Sequence, residues 1–235
     1  KMHVELILPP GASPHTFEVT PQRVRDLQGT KVTFKIGHGL DDWTERLSAF
    51  LDGGRVVTVD NGIDLLYARE GEEEDHDNHE REGANPHYWL SVKSAEIIAK
   101  TIANELVKID PPNAEAYTQN LEAYVEKLRE LDMHIEQKLQ PFQGANMITF
   151  HDSFAYYAKE YDLQVVATIE PFPGKQPTPR YLTDLQREVV AHNIRVLFIE
   201  PQLSSESVES FVRDLGIKLY VLDPLGGVEG RDSYI

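Results

Sequence analysis

Apolar and polar positions along this chain follow two periods in turn. Short β-branched-rich runs at Val4–Leu8, Val32–Ile36 and Val56–Val59 predict three strands in the first half. Thr20-Pro21 reads as an N-cap followed by proline at the first helical position, opening a short helix to Leu27. Asp41 or Asp42 opens another that runs to about Leu51. In the second half, strands are predicted at Met147–Phe150, Val165–Ile169, Val196–Ile199 and Leu219–Leu222. Helices follow from Ser153, from Thr178-Pro179 and from Ser204 or Ser205. Strands that alternate with helices predict an α/β fold with mainly parallel sheets covered on both faces.

Between the halves, Tyr117, Leu121, Tyr124, Leu128, Leu131, Ile135 and Leu139 recur at spacings of three and four. From Asn113 to Leu139 such a helix would extend roughly 40 Å, about the length of a small lobe or more. A coiled-coil seam fits the same spacing; a rigid spine under two lobes fits the flanking pattern better. The predicted organisation is an N-terminal α/β lobe over 1–112, a connecting helix over 113–140 and a C-terminal α/β lobe over 141–235. Arg69–Ala84 stands apart, with eight acids, two arginines, His76 and His79, and no aliphatic residue larger than alanine. It cannot bury apolar surface and is predicted to be a mobile surface loop.

Charge and composition narrow the function. At 235 residues, 39 acids against 23 bases give a formal charge of −16, a field that attracts cations and repels phosphate backbones. Nucleic acid is therefore excluded as a partner. Cysteine is absent, which removes disulfides, thiolate ligands and a thiol nucleophile together. No run approaches the eighteen apolar residues of a membrane span, and no signal peptide is visible.

The candidate chemistry lies in turn-rich motifs: Pro14-His15-Thr16-Phe17-Glu18, Asn85-Pro86-His87-Tyr88-Trp89, Thr149-Phe150-His151-Asp152 and Leu222-Asp223-Pro224. Three imidazoles and one carboxylate make a good shell for a divalent transition metal, and four ligands can close a tetrahedral site. Alone, each is weak, and Asp223 could be a simple turn residue before Pro224. Their placement adds weight, because His151 and Asp223 immediately follow predicted strands, and in open parallel sheets ligands bind outside the carboxyl ends of strands. Glu200 in Ile199-Glu200-Pro201 also ends a strand. A ligating imidazole donates its other N–H to a carboxylate or carbonyl, so Glu200, Glu18 and Asp152 are candidates to support the histidines.

These motifs occur together with Ile109-Asp110-Pro111-Pro112-Asn113-Ala114, Glu200-Pro201-Gln202 and Leu222-Asp223-Pro224-Leu225-Gly226. In that order they resemble the metal-binding solute-binding proteins of bacterial ABC importers, the zinc and manganese cluster. The resemblance covers nearly the whole chain. It implies two α/β lobes joined by a long helix, and a metal ion held in the cleft between them by His15, His87, His151 and Asp223. It also implies an extracytoplasmic monomer, periplasmic or lipid-anchored, that hands its ion to a membrane permease. Members usually carry an earlier strand and helix and a further final helix, so both are expected to be missing here. Zinc-type members often carry a longer histidine-rich loop where Arg69–Ala84 stands; His76 and His79 are its counterpart, either an auxiliary metal site or a plain solvated loop. Manganese-type members commonly have glutamate at the position of His151, so the resemblance implies Zn²⁺ rather than Mn²⁺ as cargo.

Three further patterns imitate other functions. Gly37-His38-Gly39-Leu40-Asp41-Asp42 follows a strand like a dinucleotide fingerprint, but Asp42 stands where the third glycine belongs. His79-Glu80-Arg81-Glu82 has Gly83 where a zinc-protease motif needs histidine, and Asp75–Glu80 lacks the glycine of a calcium loop. The rival reading is a metal-dependent hydrolase, with the three histidines on the metal and Asp223 as general base. A zinc-binding adhesin or scavenger shares the same site.

Overall fold

The computed structural model describes residues 2–48, 54–67, 83–170, 174, 176–202, 209–227, 230, 231 and 233–235. They divide into two units: Lys1–Ile7 with Phe17–His134 and Ile235, and Leu8–Thr16 with Ile135–Tyr234. The long helix α4 (Ala114–Leu139) belongs to the first unit through His134 and to the second from Ile135. It follows α3 (Val92–Ile109) after Pro111-Pro112, which cannot continue a helix.

In the first unit, α1 (Pro21–Asp26) starts where Thr20 accepts a hydrogen bond from Arg23 N and Pro21 supplies a preset φ. Strand β1 (Val32–Lys35) pairs in parallel with β2 (Arg55–Thr58), and α2 (Trp43–Ser48) lies between them in sequence. Leu27 and Leu47 form the buried centre, with Ile7, Val19, Val24, Trp43 and Val56 packed against them. The predicted strand at Val4–Leu8 does not form, and Val4 and Leu6 are 86% and 65% exposed. The segment is instead held by Arg23, whose guanidinium reaches the Glu5 carboxylate and the Leu6 carbonyl. An apolar run supplies strand propensity but no neighbour to hydrogen-bond.

The second unit is built on a four-stranded parallel sheet in the order β4-β3-β5-β6. Its strands are β3 (Asn146–Thr149), β4 (Gln164–Thr168), β5 (Val196–Ile199) and β6 (Lys218–Val221). Each crossover carries a helix: α5 (Ala155–Glu160), α6 (Pro179–Ala191) and α7 (Glu209–Leu215). Thr178 caps α6 through Tyr181 N and Pro179 begins it. Ile148, Phe150, Ile169 and Leu197 are fully buried at the centre, against Leu185 and Val189 of α6 and Val212 of α7.

Candidate metal centre

The sheet of the second unit delivers one acid or imidazole from every strand. His151 follows β3, Glu170 follows β4, Glu200 follows β5 and Asp223 follows β6. Across the sheet their order is therefore Glu170, His151, Glu200, Asp223. Short parallel strands buried by helices leave the residues just past their carboxyl ends as the first that can turn functional groups outward.

His151 is buried, and its orientation is fixed by its neighbours. Its Nδ1 lies 2.7 Å from Glu200 Oε1, which also accepts from Ser153 Oγ at 3.1 Å and from His151 N at 3.4 Å. An ionised carboxylate accepts only, so in the neutral ring the imidazole proton sits on Nδ1 and Nε2 keeps its lone pair. Glu200 is 3% exposed, and a buried acid in this role fixes the orientation of the ring. Glu200, which the sequence offers as a candidate to support a histidine, therefore lies in hydrogen-bond contact with His151. Glu18 and Asp152 are exposed, and Phe154 rather than Asp152 stands at the cap of α5.

His15 lies in the same unit, on the Leu8–Thr16 segment, and meets His151 edge to face with ring centroids 5.3 Å apart. Burial foremost, and then the repulsion from His151 whenever that ring is protonated, lower the pKa of His15 from 6.5 to about 4. The ring is neutral at physiological pH and ready to donate a lone pair.

Glu170 was missed by the sequence reading. It is 5% exposed, and its Oε2 accepts from Gly174 N at 2.8 Å. Burial pushes its carboxyl above the usual range; the Gly174 N–H and His151 pull it down, and Glu200 pushes it further up. A signal existed: Ile169-Glu170-Pro171 repeats Ile199-Glu200-Pro201, each at a strand end.

Asp223 anchors the turn after β6. Its Oδ1 accepts from Gln202 Nε2 at 2.7 Å, Gly226 N at 3.0 Å and Leu225 N at 3.1 Å. Burial raises its pKa, but these hydrogen bonds and the Arg231 charge outweigh burial and hold the carboxyl below its ordinary value.

In the first unit, His87 is 5% exposed. Asn85 Oδ1 accepts from both His87 N (3.0 Å) and His87 Nδ1 (2.9 Å), which again assigns the proton to Nδ1 and the lone pair to Nε2. His87 leads into a short 3-10 turn, Tyr88–Leu90, before Ser91 caps α3 through Ser94 N. The Gly37-His38-Gly39 turn is closed from within. Asp41 Oδ1 and Oδ2 accept from Gly37 N and Ile36 N, both at 2.7 Å, so the backbone donors a pyrophosphate would need are taken. His76 and His79 lie outside the described residues.

The profile of the zinc-uptake complex component A, periplasmic (ZnuA), matches residues 1–235. The chain belongs to the ZnuA family. It is 31% identical over 241 residues to the high-affinity zinc uptake system protein ZnuA of Bacillus subtilis, spanning 99% of this chain and 75% of that protein. It is 30% identical over 237 residues to the zinc-binding lipoprotein AdcA of Streptococcus pneumoniae, covering 98% of this chain but 47% of AdcA. Its fold matches a zinc-bound crystal structure of a ZnuA deletion mutant with TM-score 0.82 at 32% identity, over 95% of this chain and 82% of that one. ZnuA-family membership brings the α/β architecture, with parallel sheets flanked by helices and one long helix. These relatives are named as uptake and binding proteins, not as enzymes.

Proposed function

We propose that this chain is the extracytoplasmic component of a zinc importer, binding one Zn²⁺ through His15, His87, His151 and Asp223 and delivering it to an ABC permease. The observation that carries the reading is the His15–His151 pair of the second unit. It combines a histidine kept neutral by burial with one whose lone-pair nitrogen is set by a buried carboxylate. His87 is prepared in the same way by Asn85 and is proposed as the third imidazole. Asp223 closes the shell. Four protein ligands leave no open position for an activated water, as suits capture and release rather than hydrolysis. Imidazole-rich shells favour Zn²⁺ over the harder Mn²⁺, in line with the Irving–Williams order.

Competition titration against a chelator at neutral pH tests this. The expected result is one tight zinc equivalent, far weaker manganese binding, and affinity reduced by orders of magnitude in His15→Ala, His87→Ala and His151→Ala. Equal affinity for the two metals would remove the basis for a zinc assignment. A histidine variant that binds like wild type would remove that residue from the shell.

A further inference from the structure

The two carboxylate oxygens of Asp223 have unlike surroundings. Oδ1 is saturated by the three donors that hold the turn. Oδ2 is buried and makes no hydrogen bond among the described residues. What it faces is a charge: Arg231 Nη1 lies 3.2 Å away. The aspartate side chain is 5% exposed and the arginine side chain 43%.

The backbone brings this arginine into place. Gly227 N donates to Arg231 O at 2.6 Å, pinning the returning chain against the turn. Gly226 has φ +64°, and a Cβ there would stand 2.6 Å from the same carbonyl oxygen. Only glycine allows both the left-handed turn and the close approach. The Asp223–Arg231 pair is therefore built by the fold rather than left to a wandering surface side chain.

A buried carboxylate oxygen without a hydrogen bond needs a compensating cation. The guanidinium supplies one, though without hydrogen-bond geometry and with nearly half its side chain in water. A divalent ion at Oδ2 would compensate the charge better, but it cannot share the oxygen with a guanidinium at this range, since like charges repel. The arginine must then withdraw, and its exposure gives it solvent to withdraw into.

We propose that Arg231 is an internal counter-ion that occupies Asp223 until the metal arrives, and so sets how tightly zinc is held and how fast it leaves. The proposal rests on Asp223 as the fourth ligand in the function proposed above. Each binding event exchanges one cation for another at Oδ2, which lowers affinity relative to a shell with no rival. Release is eased for the same reason, because the arginine can refill the vacated charge. Acting through charge alone, Arg231 handicaps any divalent metal alike, so it tunes strength rather than choice of ion.

The test measures zinc affinity by competition titration and zinc release by stopped flow for wild type, Arg231→Gln, Arg231→Lys, Asp223→Ala and the Asp223→Ala/Arg231→Gln double variant. Arg231→Gln should bind roughly tenfold tighter and release correspondingly slower, a size between that of an exposed and a buried ion pair. Arg231→Lys should stay near wild type. In the Asp223→Ala background, Arg231→Gln should change nothing. A damaged turn would weaken binding, so tightening separates the charge effect from misfolding. Unchanged or weaker binding in Arg231→Gln overturns the proposal, as does equal tightening with Asp223 removed. If Asp223→Ala itself binds like wild type, the ligand assignment fails and takes this proposal with it, a result read with Arg231 intact.

Discussion

Each histidine of the candidate centre is prepared before any metal arrives, and the means differ. Glu200 fixes His151, Asn85 fixes His87, and His15 is held neutral by burial. The His15 shift has a sign that experiment can check. Its folded pKa of about 4 lies below the 6.5 of an unfolded histidine, so between those values the unfolded chain binds more protons. Stability from this residue is complete above about pH 6.5 and is lost as pH falls toward 4. Thermal melts of the apo protein should drop across that window, and His15→Gln should flatten the drop. Metal binding should follow the same logic. Three protonated imidazoles would make apparent zinc affinity fall about three decades per pH unit. With His15 already neutral, the slope between pH 5 and 6.5 should not exceed two. A slope of three would show that His15 carries a proton in the free protein. At this scale the three histidines, Asp223 and Glu200 stood out in the sequence because turn signals or strand ends flank them. Glu170 carries the same strand-end and proline signals as Glu200 and was passed over, because only the sheet order sets it beside His151.

Strands and helices that pack against neighbours match their sequence pattern closely, whereas those without partners do not. The continuous apolar run Val196–Ile199 became β5, flanked by β3 and β6, while Val4–Leu8, interrupted only by Glu5, pairs with no strand among the described residues. Helix α4 shows a finer difference. Its predicted stripe included Tyr124, yet Tyr124 is 38% exposed while Val125 is 7% and Leu128 0% exposed. The buried line runs through Val125 and Leu128, with Leu121 partly buried beside them, because the true packing face is one residue round from the aromatic. Periodicity sets a helix, but only the neighbours decide which edge of its apolar arc is covered. Leu128→Ala should therefore cost about 2–5 kcal/mol by emptying a fully buried site. Tyr124→Ala should cost well under half of that, and urea denaturation of the two variants reads the difference. Equal losses would place Tyr124 in the core after all.

On the scale of the whole molecule, parallel strands alternating with helices gave away the architecture. Nothing in local pattern joins Leu8–Thr16 to residues beyond Ile135; that grouping exists only once the chain is folded. Net charge is the one whole-molecule property that a linear sequence states outright, and it bears on capture. A formal −16 surrounds the protein with a negative potential that concentrates cations near it, and such steering acts on encounter rather than on the bound complex. The Debye length is about 30 Å at 0.01 M salt and near 3 Å at 1 M, so the long-range part of that field can be removed without touching the ligands. Zinc association should therefore slow by several-fold to roughly tenfold as ionic strength rises from 0.01 to 0.5 M. Dissociation should change much less, because the coordinating bonds are short and shielded from salt. Stopped-flow association and chelator-chased release, measured with the same non-coordinating salt, separate the two rates. An association rate indifferent to salt would mean that the acidic surface has no part in gathering zinc, leaving capture to the proposed ligands alone.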